Sequence, residues 1–169
     1  NTSIEPPSLE ASLFSLQNQI SDASYIYLLI IFILLFLSAF ASGSESAFFS
    51  LKPKDNAQIK NNPSQRAKLI STLLSKPKEL LATILIFNNF VNVGIVILSS
   101  FVLNDLFPAN GVFAPLRLLI EVVGITLILL LFGEVIPKIF ANRNALRVSM
   151  FAAYPLRILS KTPPISWLK

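Results

Sequence analysis

Cysteine and histidine are both absent from this 169-residue chain. Without cysteine there is no disulfide framework, no thiolate metal site and no cysteine nucleophile. Without histidine, the commonest general base, proton shuttle and transition-metal ligand is missing as well. Charge is also scarce: Asp, Glu, Lys and Arg make up 14% of the residues, against about 25% in a soluble domain. That deficit excludes a fold whose entire surface faces water. No stretch is acidic or repetitive enough to be a disordered tail. What the chain does hold is hydrocarbon, at 53% hydrophobic residues and a mean hydropathy of +0.66. The chemistry left to it is that of oxygen: nine carboxylates, with Ser, Thr, Asn and backbone carbonyls. No nucleophile–base pair is visible, and no membrane glutamate has a partner acid. The sequence reads as a membrane protein and not as an enzyme.

Three apolar stretches are long enough to cross roughly 30 Å of hydrocarbon, which takes about 20 helical residues. They lie at about 25–51, 80–103 and 118–140. Backbone polar groups cannot stay unpaired in lipid, so each is expected to be a helix. The predicted fold class is an all-α membrane protein with three transmembrane helices per protomer, the third kinked at Pro137. Basic residues set the orientation. Residues 1–24 contain none, 52–79 contain seven, 104–117 contain only Arg117, and the rest of the chain from Lys138 onward contains six. By the positive-inside rule the N-terminus lies outside, while the 52–79 connection and the C-terminus are cytoplasmic. The pI of 9.7 then requires no nucleic acid, because anionic lipid at the inner surface attracts these cations.

Residues 1–24 lack the basic start of a signal peptide and are expected to form an extracytoplasmic segment, with a short amphipathic helix over 9–20 lying on the interface. The 52–79 connection is too long for an idle loop. Lys52-Pro53 and Asn62-Pro63 read as helix starts, with Asn62 as an N-cap. Ala67, Ile70 and Leu74 share one face, with Leu73 beside them. We expect a juxtamembrane helical hairpin along the cytoplasmic face; a soluble helix packed on a cytosolic domain is the alternative.

Ionisable groups inside the apolar layer cost about 2.5–3.5 kcal/mol each on insertion scales, so they are functional candidates. Glu121 lies one turn from the outer end of its helix and can reach the interface. Glu45, near the cytoplasmic end of the first span, can reach water or a basic loop residue, or serve a buried role. Glu134 stands in FGEVIPK. Pro137 has no N–H and opposes the carbonyl of Gly133, four residues back. A broken helix with an exposed carbonyl beside a carboxylate is one way to hold a cation. A plain kink, with Glu134 neutral or paired with Lys138, is the other reading. Ser38 and Ser42 share one face of the first span, and Asn88 and Asn92 one face of the second. Asn89 points about 100° away. Such pairs also glue helices together. Oxygen ligands on all three spans favour a shared hard cation: Mg²⁺, Ca²⁺ or Na⁺.

The strings LSAFASGSESAFFSL, FNNFVNV and FGEVIPK, in this order on three spans, resemble the transmembrane (DUF21) domain of the CNNM/CorC family of magnesium transporters. The resemblance covers roughly residues 25–160, including the basic hairpin and the ANRNA segment. It implies a homodimer in which three spans and juxtamembrane helices hold one largely dehydrated Mg²⁺ per protomer. It also implies Mg²⁺ export, with Na⁺ as a possible coupling ion, in a bacterial inner membrane. Carried over position by position, the ligands are Ser38, Ser42, Asn88, Asn92 and Glu134, with the Gly133 carbonyl beside them. Gly43-Ser44-Glu45 matches the bacterial form of the first motif. Asn89 replaces an apolar residue of many members. Most members carry cytosolic CBS-pair domains, so residues 161–169 are expected to begin a linker to such domains. The second hypothesis is an ion-sensing membrane anchor or scaffold for those modules without transport, including an accessory role in gliding motility. The third is a plain scaffold in which the polar pairs are glue.

Overall fold

The computed structural model describes residues 22–107 and 114–161, and all regular structure among them is helical. The amphipathic helix expected over 9–20 lies outside the described residues. Helix α1 runs Asp22–Phe49, α2 Pro53–Asn61, α3 Gln65–Leu74 and α4 Pro77–Leu106. The third long helix is composite: α5 Ala114–Leu119, a π-helical segment Ile120–Gly124, α6 Ile125–Ile128, a second π-helical segment Leu129–Val135, and α7 Ile136–Arg143. Helix α8, Ala145–Leu159, follows after a turn.

Three helices are long and apolar enough to span a bilayer: Asp22–Phe49, Pro77–Leu106 and Pro115–Arg143. At 1.5 Å per residue each reaches about 40 Å. Their outer faces carry bare aromatics such as Phe90, 79% exposed, and Phe32, 71% exposed. In water such a surface would aggregate; in hydrocarbon it is the solvent-matched face. The chain is therefore an all-α membrane protein.

Helix α1 is the hub, packed against α4, the third span and α8. It runs antiparallel to α4. Near one end Ser24 donates to Asp105 at 2.5 Å and the Tyr27 and Phe101 rings lie 5.9 Å apart. Further along, Ser38 meets Asn88 and Asn92. It runs parallel to the third span, matching Ser38 with Gly133 and Gly43 with Pro137. The helices are close at Gly43, where an added Cβ would meet the Pro137 carbonyl oxygen at 3.6 Å and the Ala141 Cβ at 3.7 Å, ordinary van der Waals distances. Hydroxyls in the spans also turn back on their own helix: Ser44 donates to the Phe40 carbonyl and Thr83 to that of Glu79. Few polar groups are then left bare to lipid.

The expected hairpin is present as α2 and α3, which share a core with the ends of the spans and with α8: Phe48, Ile59, Ala67, Ile70, Ile84 and Leu156 pack in one cluster. The buried stripe on α3 is Ala67, Ile70 and Leu73, with Leu74 only partly covered. The helix start also differs from expectation. Asn62 is the C-cap of α2, and Ser64 caps α3, its Oγ accepting from the Ala67 N–H at 3.2 Å. Asn62 instead accepts from the Ser64 N–H, an Asx turn that links the two helices. Helix α8 was not assigned from the sequence. At 15 residues it is too short to span, and it buries Ala145, Ser149, Ala152, Ala153 and Leu156 on one face while leaving Phe151 and Tyr154 exposed.

Candidate functional site

The two polar pairs expected on the first and second spans meet. Ser38 and Ser42 lie four residues apart on α1, and Asn88 and Asn92 four apart on α4, so each pair presents one stripe to the neighbouring helix. The Ser38 hydroxyl donates towards Asn88 Oδ1 at 2.9 Å and Asn92 Oδ1 at 2.8 Å. One hydroxyl has one proton to give, so three oxygens crowd one point with a single hydrogen to share among them. Ser38 is wholly buried and Asn88 nearly so. A cation would relieve such a concentration of lone pairs, as would turning one of the asparagine amides to donate to the serine.

The third span closes on the same point through its backbone. A Cβ added at Gly133 would stand 3.0 Å from Ser38 Oγ and 3.6 Å from Ser38 Cβ. Glycine at 133 thus lets the third helix reach the serine. One turn along α1 from Ser38, the Ser42 hydroxyl is buried with no hydrogen-bond partner among the described residues. An unpaired buried hydroxyl costs about 1–3 kcal/mol, so its retention calls for a ligand or a functional reason. Ser38, Asn88, Asn92 and Gly133 are brought together, and Ser42 extends the line.

Glu134 follows Gly133 directly and is half-buried. Among the described residues it has neither a hydrogen bond nor an ion pair. Lys138, the alternative partner considered for it, is engaged elsewhere: its Nζ lies 3.2 Å from Glu45 Oε2, and its carbonyl accepts from Ser46 at 3.1 Å. This also answers the question left open at Glu45, whose partner belongs to the third span and not to the basic loop. Glu121 pairs along its own helix with Arg117 at 3.7 Å. Asn89 is exposed on the other side of α4, away from the cluster.

The expected kink takes another form. Val135 and Ile136 keep right-handed helical angles, and the Ile136 N–H donates to the Leu131 carbonyl in the i−5 register of a π-helix. The helix widens ahead of Pro137 and is not broken there. With that register, the N–H missing at Pro137 is the one that would reach Phe132 or Gly133. The Gly133 carbonyl therefore stays a candidate ligand on different geometry from that expected.

Among the described residues no three acidic side chains converge as a metal cluster. A cation here would be held by hydroxyl, amide and carbonyl oxygens, with Glu134 next to Gly133 in sequence as the candidate carboxylate, a donor set suited to hard ions. Sequence reasoning missed the Glu45–Lys138 tie and the Gly43–Pro137 contact, although the run of small residues in SAFASGS was a signal for close helix packing.

The sequence profile of the Cyclin M transmembrane N-terminal domain matches residues 29–169. A UPF0053 protein of Haemophilus influenzae is 36% identical over 141 residues, covering 83% of this chain and 32% of that protein. A UPF0053 protein of Synechocystis is 33% identical over 144 residues, covering 82% and 38%. The UPF0053 inner membrane protein YfjD of Escherichia coli is 33% identical over 135 residues, covering 78% and 30%. The chain spans about a third of the length of these relatives.

Proposed function

The chain belongs to the CNNM/CorC family, and from that premise we propose that it is the membrane-spanning domain of a Mg²⁺ transporter. The observation that carries this reading is the meeting of Ser38, Asn88 and Asn92 oxygens at hydrogen-bond distance, against a glycine of the third span, beside the unpartnered Ser42 hydroxyl. The ion is the cargo. Ser38, Ser42, Asn88, Asn92 and the Gly133 carbonyl would replace its water shell, and Glu134 would supply the charge. One carboxylate against a divalent ion gives weak holding, since affinity follows ligand charge count and rigidity. Weak holding suits an ion that must also leave.

The wider proposal follows the family. We place the chain in a bacterial inner membrane, the location named for the Escherichia coli relative, with the N-terminus outside and the C-terminus cytoplasmic. Export, Na⁺ coupling and homodimer assembly belong to the same reading. Cytosolic CBS-pair domains belong to it too, and the unmatched two thirds of the relatives leave room for them.

The test is Glu134→Gln in the purified, reconstituted protein. The amide keeps the volume and removes the formal charge, so Mg²⁺ binding by calorimetry and Mg²⁺ flux from vesicles should both be lost while assembly is retained. Unchanged affinity would refute the site. Wild-type binding with no flux under any ion gradient would make the domain an ion sensor instead.

A further inference from the structure

A second feature lies apart from the ion site, at the basic end of the molecule. Lys52, Lys54, Arg66, Arg143 and Arg147 line a cavity of about 1080 Å³, formed where the starts of α2 and α3 face the α7–α8 turn. Among the described residues lining it there is one carboxylate, Asp55, and its Oδ2 accepts from the Lys52 N–H at 3.0 Å. None of the five cations is ion-paired among the described residues, where the pairs use Lys76, Arg117 and Lys138. Five like charges around one concavity repel one another and focus a positive potential into it. An anion relieves both.

An apolar groove adjoins the cavity. A groove of about 440 Å³ runs between α1, α7 and α8, lined by Phe36, Phe40, Gly43, Phe140 and Val148. Arg147 and Phe151 line both spaces, so the basic cup and the groove adjoin at that pair. Phe36 lies well inside the first span, and Gly43 and Pro137 also line the groove. The groove therefore climbs from the basic rim into the apolar layer.

We propose that this joint space binds one anionic phospholipid, its phosphate head among the five cations and an acyl chain along the groove. A soluble phosphate would account for the cup and leave the groove unexplained. A second copy of the chain would cover the groove and leave five cations without counter-charge. An acidic lipid meets both halves, and basic pockets between membrane helices are suited to such heads. Arg147 and Phe151, which line both spaces, stand where the two environments meet, and a long arginine side chain can serve both, its stem apolar and its head charged.

The experiment is native mass spectrometry of the delipidated protein in neutral detergent, offered phosphatidylglycerol, phosphatidylcholine or glycerol 3-phosphate at equal concentration. Phosphatidylglycerol should bind about tenfold or more tightly than either of the others. The double variant Arg143→Gln/Arg147→Gln should lose about tenfold in phosphatidylglycerol affinity. Lys60→Gln/Lys78→Gln, which removes the same charge from exposed positions outside both cavities, should keep it. Ala39→Phe, which fills the groove, should weaken the lipid with all five cations in place. If the arginine variant fails to fold by circular dichroism, Lys52→Gln/Lys54→Gln carries the same expectation. Equal loss in the Lys60/Lys78 control would mean diffuse surface charge and overturn the proposal. So would parity of the two lipids, glycerol 3-phosphate bound as tightly as phosphatidylglycerol, or a Phe36→Cys cross-link between two copies across the groove.

Discussion

Gly133→Ala tests whether the third span reaches the Ser38–Asn88–Asn92 cluster. The added methyl would stand 3.0 Å from Ser38 Oγ, 3.6 Å from its Cβ and 3.8 Å from Leu35 Cδ1. Even a weak C–H···O contact sits at about 3.3–3.6 Å, so some 0.3–0.6 Å must be recovered. Either the helices separate or the serine hydroxyl rotates away from both asparagine oxygens. The first route is overpacking, worth about 1–3 kcal/mol. The second leaves buried polar groups unpaired, at about 1–3 kcal/mol. Alanine's higher helix propensity offsets about 1 kcal/mol, leaving a net loss of up to about 2 kcal/mol, or up to about 8 °C in melting temperature. Gly124→Ala is the internal control on the same span: its Cβ would meet only Ile120 Cγ2, at an ordinary 3.7 Å. It should be neutral or stabilising by up to about 1 kcal/mol. Thermal unfolding in detergent, with and without Mg²⁺, reads both variants. Gly133→Ala should also lose the stabilisation that a ligand of the folded state confers. A Gly133→Ala protein as stable as Gly124→Ala, with the Mg²⁺ shift intact, would refute the close approach and the site built on it.

The two serines should separate stability from binding. Ser42→Ala removes a buried hydroxyl without a partner, so the melting temperature should hold or rise while Mg²⁺ affinity falls in calorimetry. Ser38→Ala strands two amide oxygens and should lower both. The Glu45–Lys138 pair has side chains 25% and 43% exposed, so a double-mutant cycle with Glu45→Gln and Lys138→Met should give a coupling of at most about 1 kcal/mol, shrinking with salt. For orientation, Ser64→Cys, at the exposed cap of α3, should resist an impermeant thiol reagent in sealed cells and react after permeabilisation; labelling from outside would reverse the topology.

The membrane class was written in the sequence because it rests on local sums. Twenty apolar residues in a row are a span whatever surrounds them, and the hydroxyl and amide pairs fall on one helix face by the 3.6-residue period alone. Capping was less legible. Asn62 and Ser64 are both good caps, and a two-residue shift decided which served α3. Helix α8 escaped because its pattern is apolar on both faces, one for α3 and α1 and one left bare, which blurs the periodicity that marks an amphipathic helix.

Periodicity could place Ser38 with Ser42 and Asn88 with Asn92, but only tertiary packing set the antiparallel register that points both asparagine oxygens at one serine. It also gave Lys138 to Glu45, residues 93 positions apart in the chain, and absorbed Pro137 by winding the helix wider ahead of it. Spacing along a helix fixes which side chains share a face, because the backbone period is local. Which faces meet, and at what depth, depends on where a residue such as Gly133 lets two helices approach, and that is a property of pairs of helices and of no single segment.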